Sequence, residues 1–128
     1  MARMRILLVD DDRMFATAMA RLLRGSGHEV QLADSISSAL SFTDPCDVIV
    51  SDIALPDGTG YELVRALRAR RSVPAVAMSG WNTGDDYPDE VFSHHLGKPV
   101  DSDTLIRALE AVVGAICGPR NPTGAAAI

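Results

Sequence analysis

Short apolar runs, each ending in an acidic or hydroxyl residue, recur along the chain, separated by segments in which apolar residues return every three or four positions. Arg5-Ile6-Leu7-Leu8-Val9 leads into Asp10, Asp47-Val48-Ile49-Val50-Ser51 into Asp52, and Ala75-Val76-Ala77-Met78 into Ser79. Continuous apolar runs of this length read as parallel strands buried on both faces. Glu29 to Ala33 and His94 to Lys98 complete a set of five strands. After the first strand, Phe15, Ala18, Leu22 and Leu23 recur at helical spacing, and Gly25-Ser26-Gly27 supplies a stop. Ser35 to Phe42 predicts a short helix capped by Ser35 and ending before Asp44-Pro45. Gly58 and Gly60 then break the chain ahead of a helix that turns Leu63, Val64 and Leu67 inward and leaves Arg65, Arg68, Arg70 and Arg71 as a largely solvated face. Breakers from Trp81 to Pro88 leave only Asp89 to Ser93 with helical character, so the fourth helix is expected to be short or irregular. Leu105, Ile106, Leu109, Val112, Val113 and Ile116 form the stripe of a last helix that starts near Asp101 or Ser102. Five alternations of strand and helix predict an α/β fold, a doubly wound five-stranded parallel sheet of (βα)5 type.

Residues 1–117 make one domain on this reading, and residues 118–128, rich in Pro, Gly and Ala without apolar periodicity, make a disordered tail or linker stub. The 128 residues, 47% of them hydrophobic, suffice for a single core. No stretch approaches the roughly 20 apolar residues of a membrane span, and Met1 to Arg5 runs straight into a strand, so a cytoplasmic chain without membrane partners is expected. Cys46 and Cys117 lack a metal-ligand spacing and read as reduced packing residues. A formal charge of −5 argues against nucleic-acid binding, which draws on a basic surface.

In an open parallel sheet the carboxyl ends of the strands line the ligand crevice. Asp10 and Asp11, Asp52, and Lys98-Pro99 each follow a strand and therefore converge there. Three carboxylates in one place repel each other and favour a cation, and oxygen-only ligands suit Mg²⁺. Lys98 adds a second positive charge. Asp12 reads as a helix N-cap.

Four motifs in order, Leu8-Val9-Asp10-Asp11, Ser51-Asp52 through Gly60, Met78-Ser79-Gly80 and Gly97-Lys98-Pro99, resemble the receiver domain of two-component response regulators over roughly residues 4 to 117. The resemblance implies the flavodoxin-like receiver fold and phosphoryl transfer from a phosphohistidine donor to Asp52, dependent on Mg²⁺. It implies that Asp11 binds the metal directly and Asp10 through water, that Asp52 and the Ala54 carbonyl complete the ligands, and that Ser79 and Lys98 contact phosphoryl oxygens. A cis Lys98-Pro99 bond would aim the lysine. Asp57-Gly58 is read as a turn that shapes the pocket rim. The implied partners are a histidine kinase or histidine phosphotransfer protein and a downstream protein target. Enzymatic activity beyond the domain's own phosphorylation and dephosphorylation is not expected.

Two departures narrow the expectation. His95 stands where many receivers carry Tyr or Phe, as in receivers of hybrid histidine kinases, and is read as a packed strand histidine. The segment between Ser79 and Lys98 is also shorter than usual. Together they predict a chain that stays monomeric when phosphorylated, with the donor recognised by the first helix near Arg13 and Met14 and by the loop after Lys98. With no DNA-binding or catalytic segment after Val113, output by protein–protein contact is expected. The alternatives are a receiver excised from a hybrid histidine kinase or multidomain regulator and, less favoured, a degenerate receiver that acts only as a binding module. A haloacid dehalogenase-type phosphatase would need a second acid at position 54, where alanine stands.

Overall fold

The chain runs through β1 (Arg5–Val9), α1 (Arg13–Gly25), β2 (Glu29–Ala33), α2 (Ile36–Leu40), β3 (Val48–Asp52), β4 (Ala54–Leu55), β5 (Gly58–Thr59), α3 (Gly60–Arg68), β6 (Ala75–Ser79), β7 (His94–Gly97) and α4 (Ser102–Cys117). This computed structural model describes residues 3–42, 45–70, 72–79, 92, 94–97 and 100–117. The expected fourth helix, with Trp81 and Pro88, and the expected tail at 118–128 lie outside the described residues, as do Lys98 and Pro99.

Five strands form one parallel sheet in the order β2-β1-β3-β6-β7, while β4 and β5 make a small antiparallel hairpin. This is the doubly wound arrangement that the apolar pattern predicts. Because successive strand residues point to opposite faces, the sheet separates two cores. Ile6, Leu8, Val48, Val50, Val76 and Met78 meet α1 and α4 on one face. Leu7, Val9, Ile49, Ala75 and Ala77 meet α2 and α3 on the other. Strands buried on both sides explain why the runs are continuously apolar. Among the described residues, no helix is long and apolar enough to cross a membrane.

The face of α1 agrees with the expectation at Phe15 and Leu23 and departs from it at Ala18 and Leu22. Ala16, Met19, Ala20 and Leu23 are buried, Phe15 is half-buried, and Ala18 and Leu22 point to solvent. Two apolar stripes are available on this helix, and the one with Ala16 and Ala20 carries the small side chains that let it lie close to the sheet. Asp12 caps α1 as expected, accepting from the Phe15 N–H at 3.2 Å. Ser35 caps α2, but the helix ends at Leu40 instead of Phe42. The Ser41 and Phe42 amides turn back to Ser38 and Ala39 carbonyls, which tightens the last turn, and Ser41 Oγ donates to the Ser38 carbonyl at 2.6 Å.

On α3 the inward residues are Leu63, Val64 and Leu67, as the spacing predicts. Its basic face has more structure than a solvated stripe: Arg68 Nε donates to the Val73 carbonyl and Arg70 to the Leu40 carbonyl. Asp101 accepts from the Thr104 N–H at 2.7 Å at the start of α4, whose Leu105, Leu109 and Val112 are buried.

Candidate functional site

The chain leaves β1 to one side for β2 and returns on the other side as β3, so the crevice between β1 and β3 is the point where strand order reverses. Ligands of open α/β sheets bind at such a point, outside the carboxyl ends of the strands. Val9 pairs with Ser51, which brings the residues that follow, Asp10 and Asp52, level with one another. One carboxylate oxygen from each of Asp10, Asp11 and Asp52 lies within 4.8 Å of the others.

The three acids sit in different surroundings. Asp10 is 1% exposed, Asp52 half-buried and Asp11 exposed. A buried carboxylate requires hydrogen-bond partners, and Asp10 Oδ1 accepts from the Asp12 N–H at 2.9 Å. Its own N–H donates to the Ala33 carbonyl at 3.0 Å, which extends the ladder to β2 by one residue and fixes where the acid projects. Asp52 Oδ1 lies 3.4 Å from the Ala54 N–H, a long contact across the first bend of the following loop.

The backbone of Asp52 is gripped from behind. Buried Ser51 donates its hydroxyl to the Asp52 carbonyl at 2.8 Å. Gly60, the first residue of α3, presses on the same carbonyl: a Cβ there would stand 2.6 Å from the Asp52 oxygen and 3.1 Å from Ser51 Oγ. Only glycine permits this approach. The Gly60 N–H closes the loop by donating to the Ile53 carbonyl at 2.8 Å. Between these points, the β4–β5 hairpin turns at Pro56 and Asp57, and Thr59 and Glu62 form a reciprocal capping box at the start of α3.

Three clustered carboxylates offer only hard oxygen donors, and mutual repulsion makes a cation the natural counterpart. The donor set fits Mg²⁺. Ala54, the residue expected to lend its carbonyl, is exposed and adjoins Asp52. Ser79 ends β6, one strand beyond Asp52, and pairs with Gly97 at the end of β7, directly before Lys98. The backbone thus brings all the expected positions within the described residues to one edge of the sheet. Lys98 itself lies outside them. His95 is on β7 opposite Ala77.

Three features here are not signalled by the motifs. Arg13 at the start of α1 forms an ion pair with Asp34 at 3.3 Å. Together with Asp10, Thr17, Leu32 and Ser38 they line a cavity of about 240 Å³ beside the acidic cluster. Asp57 reaches across to α2, and Gly60 lies against the Asp52 carbonyl at the end of β3. A sign of the last is the glycine that opens a helix eight residues after Asp52.

The family model described as response regulator receiver domain matches residues 6–110. The acid tolerance regulatory protein ActR of Rhizobium meliloti is 30% identical over 94% of this chain, which spans 66% of ActR's length. Protein PilH of Pseudomonas aeruginosa is 30% identical over 85% of this chain and 97% of its own. Among solved structures, a CheY-like receiver domain from Methylobacillus flagellatus superposes with a TM-score of 0.76 at 30% identity, covering 87% of this chain and 99% of that one.

Proposed function

We propose, for a chain that belongs to the response regulator receiver domain family, that Asp52 accepts a phosphoryl group from a phosphohistidine donor and that the phosphorylated form signals by protein–protein contact. A carboxylate oxygen of Asp52 attacks phosphorus, and a P–O bond forms as the P–N bond breaks. The electron pair of that bond leaves with the imidazole nitrogen, which takes up a proton. The product is a mixed anhydride on Asp52. The convergence of Asp10, Asp11 and Asp52 at the switch point carries this reading.

In this reading Asp11 and Asp52 would hold Mg²⁺ with the Ala54 carbonyl, and Asp10 would contribute through water. When bound, the ion offsets the negative charge that gathers as the phosphoryl group approaches the carboxylates. Ser79 and Lys98 bind phosphoryl oxygens, the first as a hydroxyl donor and the second as a point charge. The donor is a histidine kinase or a histidine phosphotransfer protein. It docks at the start of α1, where Met14 is 85% exposed between Arg13 and Thr17, beside the mouth of the acidic site. The phosphorylated chain passes the signal on as a regulator or phosphorelay shuttle, with no enzymatic activity beyond its own phosphorylation and dephosphorylation.

A receiver carried within a longer regulator is the second reading, favoured by the share of ActR that this chain leaves unmatched. The test of the principal reading is labelling by acetyl phosphate in the presence of Mg²⁺. Asp52→Asn is expected to abolish it while the circular dichroism spectrum stays unchanged, and undiminished labelling would remove Asp52 as acceptor. Phosphotransfer profiling against purified histidine kinases then identifies the donor.

A further inference from the structure

One carboxylate outside the acidic cluster joins two elements that are distant in sequence. Asp57 stands at the turn of the β4–β5 hairpin, and its two oxygens accept separately from the Ile36 N–H at 2.8 Å and the Ser37 N–H at 3.0 Å. These are the first two residues of α2, and the third, Ser38, donates to Ser35 Oγ at 3.0 Å. First-turn amides have no partner within their own helix, so α2 takes two of these three from a side chain on the loop that follows Asp52. The pair of N–H donors holds the Asp57 carboxyl below its ordinary range.

The neighbouring contacts are tight. Gly58 has φ +152°, and a Cβ there would stand 2.7 Å from Ile36 Cδ1 and 2.8 Å from Glu62 Oε1, so the hairpin seats directly on α2 and α3. The far end of the hairpin is fixed by the Thr59–Glu62 capping box. Its own ladder pairs only Ala54 with Thr59 and Leu55 with Gly58. A hairpin this short does not hold its shape alone. Its tip is held by Asp57, and its first residue is Ala54, two residues after Asp52 with its N–H 3.4 Å from Asp52 Oδ1.

We propose that Asp57 is a positioning residue for the acidic site: by clasping the first turn of α2 it fixes the hairpin, and with it the backbone of Ala54 beside Asp10, Asp11 and Asp52. The inference rests on the magnesium reading of that site. It assigns Asp57 a role distinct from shaping the rim, because the effect reaches the metal through Ala54.

The test compares the full chain with Asp57→Ala, Asp57→Asn and Ser35→Ala by Mg²⁺ calorimetry and amide hydrogen exchange. Ser35→Ala removes another cap of the same helix without touching the hairpin, so it separates loosening of α2 from release of Ala54. Asp57→Ala is expected to lose protection at Ile36 and Ser37 and to bind Mg²⁺ about tenfold more weakly, the low end of the loss seen when an outer partner of a metal site is removed. Asp57→Asn keeps one acceptor oxygen and is expected to fall between Asp57→Ala and the unaltered chain. Ser35→Ala is expected to lose protection at Ser38 and keep full affinity. Full Mg²⁺ affinity in Asp57→Ala, or equal weakening in Ser35→Ala, would overturn this inference alone. An unaltered chain that binds no Mg²⁺ would overturn the magnesium reading and this inference with it.

Discussion

Substituting Gly60 tests how the fold holds the strand that ends in Asp52. In Gly60→Ala the new methyl would stand 2.6 Å from the Asp52 carbonyl oxygen and 3.1 Å from Ser51 Oγ, so the backbone must yield. Forcing a carbon into a filled site costs about 1–3 kcal/mol. Displacing the Asp52 carbonyl also strains the 2.8 Å bond from Ser51 Oγ, worth about 1 kcal/mol. Alanine's better helix propensity returns at most about 1 kcal/mol, and less at a first helical position. The balance is a loss of roughly 1–3 kcal/mol, or roughly 4–12 °C in Tm for a domain of this size. Gly25 at the end of α1 is the control, because a Cβ there meets nothing within 4 Å. Gly25→Ala is expected to be neutral or slightly stabilising. Scanning calorimetry on both variants decides the matter: a Gly60→Ala protein that melts with the parent would refute the close-approach argument.

Other expectations follow from the same geometry. Asp11→Ala should remove most Mg²⁺ binding in a calorimetric titration, and parental affinity in that variant would contradict its role as a direct ligand. The Asp101 carboxyl is held below its ordinary value of 3.8, chiefly by the Thr104 backbone N–H. A carboxyl lowered in the folded state adds stability that is fully present above its unfolded value and is lost as pH falls through the folded one. The Tm gap between the parent and Asp101→Asn should therefore be constant near neutrality and close below about pH 3.8; a gap that widens in acid would reverse the sign. Light scattering with beryllofluoride, a phosphoryl mimic, is expected to return a monomer, and a shift to dimer would show that the chain pairs on activation.

The apolar runs make the sheet and its carboxyl-end acids legible, because a strand buried on both faces stays apolar almost to its end, Ser51 of β3 being a buried exception. Asp10 and Asp52 stand at those exits. The face of α1 is legible only in part: Phe15 and Leu23 pack inward as their spacing predicts, whereas Ala18 and Leu22 share helical spacing with Ala16, Met19 and Ala20, and only packing against the sheet selects the latter. The β4–β5 hairpin leaves no mark in the apolar pattern because strands of two residues carry no periodicity. Asp57 reads in the sequence only as a turn residue because its partners, Ile36 and Ser37, are some twenty positions away and join it only once α2 and the hairpin pack together. Gly60 reads in the sequence as a break ahead of α3, whereas its lack of a side chain serves a contact with the Asp52 carbonyl that only the folded chain makes.

The central claim is that an acyl phosphate forms on Asp52. Borohydride reduces an aspartyl phosphate to homoserine, which marks the acceptor permanently in the peptide. Phosphorylation with Mg²⁺ and acetyl phosphate, then reduction and tandem mass spectrometry, should place homoserine at position 52 and leave positions 10 and 11 as aspartate. Homoserine at either of those positions, or its absence from a chain shown to have bound Mg²⁺, would contradict the account.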